Sequence, residues 1–165
     1  MEIGMAPTTA QDNSIGNSTR RVAATDKPGE ASPGMTRTVA EILAARGDTT
    51  VHTIEPGATV YDATRLMGEK RISALVVCEG ATIAGIVTER DFAQKVLLGS
   101  RSVREIPVRD VMTSPIIFVS PAQTVADCML LMGKHRMRHL PVLAGNELVG
   151  MVSIRDFVND IIAGL

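Results

Sequence analysis

Two short stretches carry the residue types that could do chemistry. "GIVTERDF" spans Gly85 to Phe92, and "GMVSIRDF" spans Gly150 to Phe157, 65 positions later, with Gly, Val, a hydroxyl, Arg, Asp and Phe in the same order. In each, a hydroxyl residue precedes a carboxylate by three positions: Thr88 and Asp91, then Ser153 and Asp156. If a helix begins there, its free amide hydrogens and positive dipole end face outward and suit an anion. Gly85 and Gly150 permit close backbone approach at the same corner. A ligand with phosphate and ribose could use every part, the hydroxyl and helix amides taking phosphate and the carboxylate accepting from a cis-diol. The same spacing is also a capping box, which needs no ligand and stabilises a helix start by about 0.5–2 kcal/mol. Thr59-x-x-Asp62 and Thr124-x-x-Asp127 show it again, so on the residues alone both readings stand.

The elements that must position these residues are duplicated as well. Glu55 to Val77 lies over Ser120 to Val142 at the same offset of 65 without a gap, and "TVAEIL" (Thr38 to Leu43) resembles "PVRDVM" (Pro107 to Met112) upstream. Val125, Cys128, Met129 and Met132 follow i, i+3, i+4, i+7, and Val60, Ala63 and Met67 do the same in the first copy, which predicts an amphipathic helix in each. The short apolar runs "ALVV" and "LPVL", each closed by a Gly-bearing turn and followed by a second strand, predict a β-hairpin. Pro141 in the second run points to an edge or first-residue position, because proline donates no ladder hydrogen bond. Phe92, Val96 and Leu97, or Phe157, Ile161 and Ile162, continue at helical spacing. Each copy thus reads β-α-β-β-α, and a unit of this size needs a partner to bury its apolar face.

Composition narrows the function classes. With 45% hydrophobic residues in 165, the chain can bury one good core; with 2% aromatics and no Trp, that core is aliphatic and stacked-base platforms are hard to build. A net charge of −1 supplies no basic field for nucleic acid or a membrane surface. The longest apolar runs are far shorter than the roughly 20 residues a membrane span requires. Cys78 and Cys128 stand alone in apolar contexts, read as reduced core residues, and suit the cytoplasm. No metal-ligand spacing, HExxH, GxSxG or P-loop pattern occurs, and the three histidines His52, His135 and His139 belong to none; enzyme activity is not expected. Residues 1–35, rich in Thr, Ser, Asn, Gly and Pro, read as a disordered tail in which Met35 offers an alternative start. The repeats are assigned to 36–102 and 103–165.

The two copies of a "TVxDAxxLM…R(I/M)xxLPV…GxVGIV(T/S)xRD" pattern resemble the cystathionine-β-synthase (CBS) domain, and the pair resembles a tandem CBS module over about Thr38 to Ile162. The resemblance implies an α/β (α+β) fold of two pseudo-twofold-related β-α-β-β-α repeats packed through their sheets. It implies two clefts that bind an adenine nucleotide (AMP, ATP or NAD) or S-adenosylmethionine, and modules that pair into a flat homodimeric disc. Residue by residue, the family's motif falls on Gly85, Ile86, Thr88 and Asp91, and on Gly150, Met151, Ser153 and Asp156. Asp would hold the ribose hydroxyls, Thr or Ser would reach phosphate, and Ile86 or Met151 would line the adenine slot. The positions just before "LPV", at the start of the second strand of each repeat, which face phosphate in the family, are Arg138 and His139 in one copy and Ser73 and Ala74 in the other. Arg138 can fork onto phosphate, so the cleft it lines is expected to prefer charged ligands; a solvated Arg138 and a structural His139 are the alternatives. Arg71 and Arg136 are read as surface or interface groups. The implied function is a non-catalytic sensor that signals by conformational or dimer change to an effector partner in trans. The alternative is a ligand-free CBS dimerisation or scaffold protein.

Overall fold

Each of the five α-helices among the described residues begins on a hydroxyl residue three positions ahead of an acid. The computed structural model describes residues 33–97 and 99–165. Helices α1 (Val39–Arg46), α2 (Val60–Lys70), α3 (Glu89–Lys95), α4 (Val125–His135) and α5 (Ile154–Ala163) are capped by Thr38, Thr59, Thr88, Thr124 and Ser153 in complete capping boxes. Two otherwise orphaned amide hydrogens are satisfied at each start. At their other ends, α2 and α4 stop at Arg71 and Arg136, both in the left-handed region (φ 54° and 52°).

Strands β2 (Ala74–Glu79) and β3 (Thr82–Thr88) form one antiparallel hairpin, and β4 (His139–Ala144) and β5 (Glu147–Ser153) form the other. Gly80 and Gly145 turn the hairpins at positive φ, and both ladders slip at the equivalent place, after Val77 and after Val142. The first sheet has a third strand, β1 (Thr53–Ile54), parallel to β2, with the Val76 amide donating to the His52 carbonyl. In the second repeat the residue equivalent to Val76 is Pro141, which has no N–H. The corresponding strand there shrinks to a single parallel bridge, Val119 to Val142. Pro141 is the third residue of β4, on the edge where only that bridge remains, and its carbonyl accepts from the Val119 amide at 3.0 Å.

The cores cross the sequence repeats. Val39, Ile42 and Leu43 of α1 are buried with Val125, Leu140, Val152 and Phe157, in the core built by the second repeat. Reciprocally, Ile106, Val108 and Val111 are buried with Val60, Met67, Leu75 and Val87 in the first. Backbone bonds fix the exchange: the Val39 amide donates to Gln123 O and Val125 to Arg37 O, as Val60 donates to Ile106 O and Val108 to Ala58 O. Each exchanged aliphatic side chain contributes about 1.5–3 kcal/mol by burial. A third cluster joins the sheets, with Ala74, Ile86 and Ile116 buried and Phe118 and Met151 packed on them.

Two expectations need correction. The tail assigned to residues 1–35 has its last three residues, Pro33–Met35, in a 3-10 turn, because Met35 finds apolar surface on the second core; residues 1–32 lie outside the described residues. Cys128 is a core thiol, pushed up to about 12 by burial and secondarily by Asp127, whereas Cys78 is only half-buried. No helix among the described residues is long and apolar enough to cross a membrane.

Candidate functional site

The exchange of α1 and of segment 106–112 opens two clefts where the repeats meet. The first, about 450 Å³, is lined by Ser73, Ile86, Thr88 and Asp91 on one side and by Arg136, Arg138 and His139 on the other. The second, about 810 Å³, sets Met151, Ser153 and Asp156 opposite Thr50, His52, Arg71 and Ser73.

At the first cleft, the β3-to-α3 corner holds Asp91 by its capping box. The Thr88 amide and Oγ1 donate to Asp91 Oδ2 at 2.9 and 2.8 Å, leaving Oδ1 to accept from Lys95 Nζ at 2.9 Å and Thr113 Oγ1 at 3.4 Å. Lys95 Nζ also donates to the Val111 carbonyl at 2.6 Å, tying the exchanged segment to α3. Asp91 is 8% exposed. At the second cleft, the Ser153 amide and Oγ donate to Asp156 Oδ2 at 2.7 and 2.8 Å, and Arg46 Nη1 of the exchanged α1 lies 3.5 Å from Asp156 Oδ1. The same Nη1 donates to the Met151 carbonyl at 3.0 Å. Asp62 and Asp127 sit in the same kind of box but line neither cleft. Two of the four Thr/Ser-x-x-Asp boxes thus combine a cap with a second oxygen presented to a cationic group at a cleft wall.

Gly85 and Gly150 line neither cleft. A Cβ at Gly85 would lie 2.8 Å from the Thr113 carbonyl and 2.7 Å from Met112 Sδ, and one at Gly150 would lie 2.8 Å from Leu43 Cδ1. The glycines admit the exchanged segment. Ile86 and Met151, related by the repeat, meet in the cluster between the sheets, and each also lines one cleft.

Arg138 and His139 were expected to serve one cleft and line both, together with Ser73 and Glu89. The reason is that the starts of β2 and β4 converge, with Ser73 Oγ and His139 Nε2 sharing a hydrogen bond of 3.1 Å. Burial holds the His139 imidazole below its usual range, Arg138 acts in the same direction, and Asp156 opposes both. A hydroxyl on a neutral imidazole is the beginning of a nucleophile–base pair. His139 has no carboxylate hydrogen-bonded to its other ring nitrogen among the described residues, and no group of three or more His, Cys, Asp or Glu there could hold a metal ion. Arg71 and Arg136, read as surface or interface groups, line the second and first clefts respectively, where the repeats meet. Sequence reasoning missed Lys95, Thr113 and Arg46. Lys95 stands i+4 from Asp91, a spacing that announces an ion pair on a helix, whereas Arg46 is 110 residues from Asp156 and carries no local signal.

Comparison with known proteins agrees with this architecture. The CBS domain family model matches residues 39–98 and 108–163. CBS domain-containing protein CBSX3, mitochondrial, of Arabidopsis thaliana is 40% identical over 109 residues, 63% of this chain and 53% of that protein. CBS domain-containing protein YhcV of Bacillus subtilis is 32% identical over 66% of this chain and 76% of its own. The chain thus spans about half the length of the Arabidopsis relative, and about a fifth of a larger one, CBSCBSPB5. Among solved structures, a CBS-domain protein of Burkholderia ambifaria MC40-6, named for signal transduction, superposes with a TM-score of 0.75 at 50% identity, over 77% of this chain and 95% of that one. A hexameric CBS-CP12 protein from bloom-forming cyanobacteria superposes with a TM-score of 0.67 at 32% identity, over 74% of this chain and 70% of that one. Duplicated repeats, exchanged first elements and paired clefts at the strand-to-helix corners are accounted for together: the chain belongs to the CBS domain family and carries two of its repeats.

Proposed function

We propose that the chain is a non-catalytic regulatory module that binds an adenosyl ligand, of the AMP, ATP, NAD or S-adenosylmethionine class, in its clefts. The observation that carries this reading is the difference between the Asp91 and Asp156 boxes and the Asp62 and Asp127 boxes. Only the first pair aims a second carboxylate oxygen at a cation beside a cleft. A ribose diol can take over those oxygens, and the cleft arginines can meet phosphate. Because each cleft is walled by both repeats, a ligand that fits one relative orientation shifts the population toward it by its differential affinity. The altered shape is read by a protein partner in trans. Leu97 and Ile162, equivalent in the two repeats and 77% and 61% exposed, support pairing of two copies.

The test is a thermal-shift titration against AMP, ADP, ATP, NAD, NADH and S-adenosylmethionine, since binding to the folded state alone raises the midpoint by mass action. A saturable rise with one ligand is expected, reduced in D91A and in D156A, lost when both are replaced, and retained in D62A and D127A, which remove only a cap. A second reading is a ligand-free scaffold, favoured by the use of the same capping box at all five helices. It predicts no shift at millimolar ligand and equal destabilisation by all four Asp variants.

A further inference from the structure

The two clefts share a wall. Ser73, Glu89, Arg138 and His139 border both, and the Ser73 to His139 hydrogen bond closes the seam between them. Of these four residues, Glu89 is an anion, Ser73 is neutral, and burial favours the neutral form of His139. Arg138 is therefore the one permanent cation common to both clefts among the described residues. Its guanidinium makes no hydrogen bond or ion pair with them, so its donors are available to a ligand. A guanidinium can fork onto one phosphate chain at a time. Once it does, the opposite cleft presents Glu89 with no shared cation to offset it and faces the first ligand's charge across a wall in which Ser73 and His139 are half-buried and Glu89 and Arg138 exposed, so that the like charges of two ligands repel through it, most strongly at low ionic strength.

We infer that the clefts compete for Arg138, so that the module binds one polyphosphate-bearing ligand tightly and a second at least tenfold more weakly. This rests on the adenosyl reading above and adds a regulatory property to it. Ligands without phosphate do not compete for the guanidinium, and they fill both clefts independently. The module thereby distinguishes a charged from an uncharged adenosyl ligand by how many it holds.

Isothermal titration with ATP and, separately, with adenosine tests this. In wild type, ATP gives two phases at least tenfold apart in affinity, and adenosine gives a single phase of two per chain. In R138Q the tight ATP phase weakens about tenfold and the two phases merge, while an unchanged melting midpoint without ligand reports an intact fold. Two equal ATP sites in wild type, or an unchanged separation in R138Q, would overturn the competition and leave the adenosyl reading standing. If neither ATP nor adenosine binds, the adenosyl reading falls and the competition with it.

Discussion

Leu43 of α1 packs against Gly150 of β5 so closely that a methyl group on Gly150 would lie 2.8 Å from Leu43 Cδ1. Met112 stands in the same relation to Gly85, where a methyl group would also meet the Thr113 carbonyl at 2.8 Å. Overpacking of this kind costs about 1–3 kcal/mol. At Gly150 a flexible side-chain tip can move aside, and at Gly85 backbone obstructs. Gly85→Ala is therefore expected to lose more stability in urea unfolding than Gly150→Ala. L43A should offset part of the cost of G150A, and additive losses would contradict the packing.

The exchange of α1 makes a second prediction. Ile42, 4% exposed, lies in sequence before the first hairpin but in space within the second core. Ile42→Ala is expected to cost about 2–5 kcal/mol, which lowers the melting midpoint by about 2–4 °C per kcal/mol in a chain of this length. Hydrogen exchange should show protection falling first in β4 and β5 and later in β2 and β3. The reverse order would place α1 on the wrong core.

His139 supplies a pH dependence. Its folded pKa lies below the unfolded value of about 6.5. The unfolded chain therefore binds the extra proton first as pH falls. The contribution is present in full above the unfolded value and is lost as pH falls from there toward the folded one. The wild-type midpoint should drop between pH 7.5 and 5.5, and His139→Gln should flatten that part of the profile; an unaltered profile would exclude His139 as the cause.

The thiols should separate by accessibility. Cys128 is 0% exposed with its pKa pushed up to about 12, and Cys78 is partly exposed. The thiolate is the reactive form, so a thiol reagent at pH 8 should label Cys78 slowly in the native protein and Cys128 only after denaturation. Equal labelling of both would show that the second core opens readily.

Sequence by itself determined whatever is written in short-range spacing. The duplication at 65 residues, the hairpin turns at Gly80 and Gly145, the helix starts at Thr59, Thr88, Thr124 and Ser153, and the apolar faces of α2 and α4 depend on neighbours a few positions apart. The candidate carboxylates Asp91 and Asp156 were legible for the same reason. Tertiary structure decided which capped aspartates face a cleft, because Asp62 and Asp91 have the same local spacing and differ in what packs beside them. It also decided that α1 lies on the second core, that Gly150 yields space to Leu43, that Arg46 reaches Asp156, and that one arginine borders both clefts. These relations join residues roughly 65 to 110 positions apart. They arise because neither repeat can bury its own apolar face alone, so each completes its core with the other's first segment and leaves the clefts between them.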